Sequence, residues 1–71
     1  MRHRERERID RLERNGTVDR RRGELRAWFK SHPRGNPLQA VQDLQYTHQD
    51  YMYVVADSVR IDLMREENVS P

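Results

Sequence analysis

The side chains from which a metal site or an activated nucleophile is usually built are sparse here, and their spacing does not assemble one. His32 and His48 have no His, Asp or Glu four residues on, and His3 has only Glu7 there, so no set of three ligands converges on an ion. Ser31, Ser58 and Ser70 lack a motif that would activate a hydroxyl, and Asp57-Ser58 reads as ordinary helix surface. Gly16, Gly23 and Gly35 stand alone, so there is no glycine-rich phosphate loop, and Glu66-Glu67 is a solvated helix end. With no cysteine there is neither a thiolate zinc site nor a disulfide. The expectation is a protein that is not an enzyme and that uses no metal and no cofactor.

The chemistry that remains is charge. Residues 1 to 35 hold twelve Arg/Lys against six Asp/Glu, net +6, and residues 36 to 71 hold two against six, net −4. The formal total of +2 hides this dipole. A basic half suits a polyanion, and an acidic half suits a second partner or a second copy. The preponderance of arginine over lysine carries no functional reading.

Those charges need elements to position them. The 71 residues allow one small domain, short enough that helices must pack tightly or two copies associate. Trp28, Phe29 and three tyrosines argue for a folded chain in spite of its 37% charged content. Residues 1 to 16 read as a basic and acidic N-terminal helix or arm, frayed at its start, and residues 17 to 71 as a helical domain. In the first segment, Glu7–Arg11 and Asp10–Arg14 fall at i,i+4, worth only about 0.2–0.5 kcal/mol each. Ile9 and Leu12 are its apolar contacts, and Asn15-Gly16 supplies a left-handed stop. Thr17 is the expected cap of the second helix, with Asp19 in its first turn and Val18, Leu25, Trp28 and Phe29 on one face. Gly23 inside that helix is either a weakness or a point of close approach.

Ser31 to Pro37 is a loop. Pro33 disfavours helix at His32, and Asn36-Pro37 gives an N-cap followed by proline at the first helical position. Residues 37 to 67 are either one rod or two helices. Thr47 and Asp50 have capping-box spacing, with Tyr46 able to staple onto Tyr51, which favours a break near Gln45 to Thr47. The expected fold class is all-α, a small three- or four-helix domain with a long C-terminal helix.

With that break, the segment resembles the helix-turn-helix of small repressors and of phage and plasmid regulators, over about 20 residues. Ala40, Val41 and Leu44 would serve the first helix, Tyr46 the turn, and Tyr51 and Val54 the buried side of the second. Gln45 takes the turn position usually held by glycine. Thr47, His48, Gln49, Met52, Tyr53 and Arg60 would then face DNA, Gln49 having the bidentate geometry that suits adenine. Because Asp50 and Asp57 repel phosphate, the cations must come from Arg20, Arg21, Arg22 and Arg26, joined by Lys30, Arg34 and the N-terminal arginines, while the acidic helix end turns away. The bland reading of the Arg-Glu alternation is a solvated helix face.

The last helix carries two apolar stripes, Met52, Val55, Val59 and Leu63 beside Tyr51, Val54, Ser58 and Ile61. One can cover the neighbouring helix. The other can meet the same helix of a second copy, with Met52, Val55, Val59 and Leu63 as the expected dimer or partner surface, unless both stripes are buried inside one three- or four-helix bundle.

These residues lead to two expectations. The first is a dimeric DNA-binding transcriptional regulator of helix-turn-helix type, reading bases with Thr47, His48, Gln49 and Tyr53. The alternative is an inhibitor or adaptor that docks its apolar, acidic C-terminal helix on a protein and binds no nucleic acid. RNA binding by the arginine-rich arm is a third, lowered by the interleaved glutamates. A cytoplasmic protein, with no membrane segment and no cleavable signal, is expected from the absence of cysteine, the lack of any apolar run near ~20 residues and the charged N-terminus.

Overall fold

Helix capping explains most of the boundaries in the computed structural model, which describes the backbone of residues 2–69 and the side chains of residues 6–68. The side chain of His3 and all of Ser70, both weighed above, lie outside the described residues. Among the described residues there are four helices and no strand: α1 (Arg2–Arg14), α2 (Thr17–Ser31), α3 (Pro37–Asp43) and α4 (Gln49–Val69). The chain is all-α. None of these helices is long and apolar enough to cross a membrane.

Gly16, at φ 82°, provides the left-handed step between α1 and α2. Thr17 is not the cap expected of it. It is the first residue of α2, whose N-cap is Gly16 without a side-chain cap, and its backbone N–H and hydroxyl both donate to the side chain of Asn15, one residue before that cap. At α3 the expected cap is present in full: Gln39 N–H donates to Asn36 Oδ1 at 2.9 Å, Asn36 N–H donates to Gln39 Oε1 at 3.0 Å, and Pro37 opens the helix. Gly23 meets open space, so it is a weakness in α2 and not a close approach. Gly35 is the glycine that packing requires, because a Cβ there would run into the Trp28 ring.

Residues 37 to 67 are two helices and not a rod. The break spans residues 44 to 48, with Gln45 and His48 both left-handed at φ 54°. Thr47 is not the N-cap of α4: the helix starts at Gln49, with Met52 N–H bonded to the His48 carbonyl, so Thr47 stands outside it and exposed. The expected staple is replaced by two separate anchors. Tyr46 donates its hydroxyl to Glu24 on α2, and Tyr51 donates to Glu13 on α1.

The core joins Val18, Leu25, Trp28 and Phe29 of α2 to Ala40 and Val41 of α3, Tyr46 of the turn, and Met52, Val55, Ala56 and Val59 of α4. Met52, Val55 and Val59 were expected to meet a partner. They are 0%, 6% and 4% exposed and hold α4 on the bundle, with Leu63 packed half-buried beside them. Val54, expected on the buried side, is 64% exposed. Relative to expectation α4 is rotated by one residue, about 100°. The stripe that turns inward is wholly apolar, whereas Tyr51, Val54, Ser58 and Ile61 would carry a hydroxyl into the interface. Arg22 pairs with Asp62 and Arg26 with Glu66, a constant offset that sets α2 and α4 side by side in the same direction. The acidic end of α4 thus faces α2 and does not turn away.

Candidate nucleic-acid interface

The turn at residues 44 to 48 is held from below by one aromatic side chain. Tyr46, 8% exposed, has its backbone N–H on the Val41 carbonyl and its hydroxyl 2.6 Å from Glu24 Oε1. Burial, then the Glu24 hydrogen bond, raises its pKa well above the ordinary tyrosine value, so the phenol is neutral across the physiological range. The guanidinium of Arg21 lies 4.7 Å over the Tyr46 ring, and its Nη2 donates to Thr47 Oγ1 at 3.4 Å. A cation–π contact of this kind is worth about 0.5–2 kcal/mol. The effect is to bring Arg21 of α2 against the turn that precedes α4.

The predicted phosphate residues therefore divide. Arg20 is exposed, without an ion pair among the described residues, and its charge reaches the Tyr46 hydroxyl. Arg21 is tied to the turn. Arg22 stands 3.7 Å from Asp62, and Arg26 donates to Glu66 Oε1 at 2.7 Å. That bond raises the pKa of Arg26 and lowers that of Glu66. Both pairs are exposed, where an ion pair contributes about 0–1 kcal/mol and can exchange its carboxylate for another anion.

The predicted base-reading residues divide likewise. Thr47 and Gln49 are exposed, His48 is half-buried, and Tyr53 is 45% exposed on the outer side of α4. Met52 is removed from the surface altogether. Arg60 bonds Asp57 of its own helix at 3.2 Å. Arg21, Thr47, His48 and Gln49 are brought together around the N-terminal end of α4, with exposed Arg20 next to Arg21 on α2; the helix dipole adds positive potential there, and Asp50 opposes it. Arg22 and Arg26 lie further along α2, paired with the second half of α4, and Tyr53 stands one turn along α4 from Gln49.

Two features escaped the sequence. One is the Arg21–Tyr46 stack, which spans 25 residues and leaves no local pattern. The other is a groove of about 700 Å³ between the end of α2, the following loop and α3, lined by Trp28, His32, Arg34, Gln39, Gln42 and Asp43. Along it His32 stacks on the Trp28 indole at 4.1 Å and Trp28 Nε1 donates to Asp43 at 3.1 Å. Among the described residues no group of three His, Asp or Glu side chains could hold a metal ion. Set against known proteins, the chain matches no family model, and neither the curated proteins nor the solved structures give a significant match.

Proposed function

We propose that this protein is a small DNA-binding regulator that presents the turn at residues 44 to 48 and the start of α4 to the duplex, with Arg20 and Arg21 on the adjoining phosphates. The observation that supports this best is the Arg21 side chain, which lies over Tyr46 and reaches Thr47, joining the basic stretch of α2 to the α3–turn–α4 unit. Gln45 also adopts the left-handed conformation that a helix-turn-helix asks of its turn. In this arrangement Arg20 and Arg21 supply affinity without sequence preference, and Gln49, with Thr47 and His48, supplies the preference. Asp50 and Asp57 keep the outer face of α4 away from the backbone, so the contact is made by the helix end.

The test is fluorescence anisotropy of a labelled mixed-sequence duplex across a salt series. Binding should weaken steeply with salt. Arg20→Ala should lower affinity on every sequence and reduce the salt slope by about 1, whereas Gln49→Ala should change the preferred sequence more than the mean affinity. Absence of binding even at low salt would overturn the proposal.

The competing reading, a protein-interaction module without nucleic acid, is favoured by the exposed apolar residues of α4, Tyr53, Val54, Ile61 and Met64. Polar substitution of Val55 or Val59 cannot test it, because both are buried in the core, where a polar side chain would weaken the fold itself. A module of this kind leaves the duplex unbound and fails on changes at Val54 or Met64.

A further inference from the structure

The outer face of α4 is more apolar than a free helix face needs to be. Tyr53, Val54, Ile61 and Met64 are 45%, 64%, 39% and 53% exposed. At 3.6 residues per turn they fall within an arc of about 100°, with Asp50, Asp57 and Asn68 inside the same arc. It lies opposite the stripe that forms the core.

The charges on this ridge are not spread evenly along the helix. The acids within the arc, Asp50 and Asp57, belong to the first half of α4, and the arginines that flank it, Arg60 and Arg65, belong to the second, where Asp62 and Glu66 turn toward α2 and Glu67 lies beyond the Arg60 edge. A ridge of this kind complements itself only when reversed. About an axis at the level midway between Asp57 and Ile61, Val54 of one chain stands level with Met64 of the other, Asp50 with Asn68, and Tyr53 with Arg65. Asp57 then stands level with the partner's Ile61 and one residue from the partner's Arg60, a side chain that within each chain also bonds its own Asp57. Side-by-side pairing in the same direction would instead stack Asp50 on Asp50 and Asp57 on Asp57. We infer that two copies of this chain associate through the outer face of α4, antiparallel about that two-fold axis.

This pairing gives the proposed DNA contact a geometry. At 1.5 Å per residue, His48 lies about 16 Å along the helix from the axis, which separates the two turns by about 33 Å. Two-fold DNA readers place their contacts about 34–36 Å apart, one turn of the duplex. Pairing also covers Asp50 and Asp57, the acids that oppose a phosphate contact. The spacing argument rests on the DNA reading; the pairing itself does not.

The test is sedimentation equilibrium of the full chain, whose single-copy mass is 8.7 kDa, with circular dichroism alongside. The wild type should sediment at twice that mass. Val54→Glu with Met64→Glu sets like charges level across the axis and should return the single mass with helix content intact, both positions being exposed. Val54→Glu with Met64→Lys should restore the doubled mass, which same-direction pairing would not allow. A wild type that stays single up to millimolar concentration, a double-glutamate variant that still doubles, or a Glu/Lys variant that stays single would each overturn the proposal. Duplex binding is read separately. A doubled mass without DNA binding leaves the pairing standing and sinks the DNA reading, and a monomer that still binds DNA does the reverse.

Discussion

Replacing Met52 with alanine tests the rotation of α4, from which every surface assignment on that helix derives. Met52 is 0% exposed and packs within the core formed by α2, α3 and α4. Truncating a fully buried methionine removes its transfer free energy and leaves a cavity, together about 2–5 kcal/mol. A domain of this length has a total stability of about 4–11 kcal/mol, so the loss is a large part of it. With a urea dependence near 1 kcal/mol per molar, the unfolding midpoint should fall by about 2 M or more. Val54→Ala, at 64% exposure, should change stability by less than about 0.5 kcal/mol. The assay is urea unfolding followed by helix dichroism and by the fluorescence of Trp28, which is 8% exposed, at a dilution where self-association does not contribute. If Val54→Ala proved the costly change and Met52→Ala the mild one, α4 would sit one residue round, and the ridge argued above would not exist.

The two glycines at issue should respond with opposite signs. Gly23→Ala meets nothing within 4 Å in an exposed helix interior and should stabilise by about 0.5–1 kcal/mol, whereas Gly35→Ala drives a methyl into the buried Trp28 ring and should destabilise by about 1–3 kcal/mol, both readable from thermal melts. Tyr46 has its pKa raised in the fold by burial and by Glu24, so its contribution to stability is complete below the ordinary value of 10.0 and is lost as pH rises through the folded value. Unfolding titrations should show stability falling above about pH 10, and Tyr46→Phe should remove that component while costing about 1.5 kcal/mol at neutral pH through the lost bond to an exposed carboxylate. An unchanged alkaline profile in Tyr46→Phe would count against the buried phenol as its source.

What could be read without coordinates was whatever is encoded within one turn of helix or one loop. Asn36-Pro37, the Asn15-Gly16 stop, and the face made by Val18, Leu25, Trp28 and Phe29 all depend on neighbours a few residues apart, and each appears where its chemistry demands. The rotation of α4 did not have that character. Two apolar stripes lie side by side on it, and the sequence alone does not say which one α2 and α3 will cover. The candidate site suffered from the same ambiguity: Thr47, Gln49 and Tyr53 are exposed as expected, but Met52 is not, and Val54 takes the surface instead. The arginines of α2 were misjudged for a different reason. Arg22 and Arg26 meet Asp62 and Glu66, which are 40 residues further on, a distance over which no local pattern can operate.

The rotation has an identifiable energetic origin in the core, and its cost shows in the turn. Gln45 and His48 both occupy the left-handed region without being glycine, at roughly 1–2 kcal/mol each. Such strain persists only where the surroundings repay it. The gain on this helix is the full burial of Met52 and Val55, roughly 1.5–3 kcal/mol apiece, in place of a stripe that includes Ser58. The turn is therefore strained because the core is better filled, and the outer face of α4 is what that choice leaves over. The surplus apolar ridge and the acids within it are then by-products of core packing at the level of the single chain. They become an asset when a second chain covers them, since pairing hides Asp50 and Asp57 and leaves the two turns, with their arginines, at opposite ends of the pair. A replacement that relieved the turn, such as Gln45→Gly, should on this argument raise stability by about 1 kcal/mol without rotating α4, because Met52 and Val55 would still be the stripe worth burying. Loss of the doubled mass in Gln45→Gly would mean that the strain itself, and not the packing, fixes which face α4 presents.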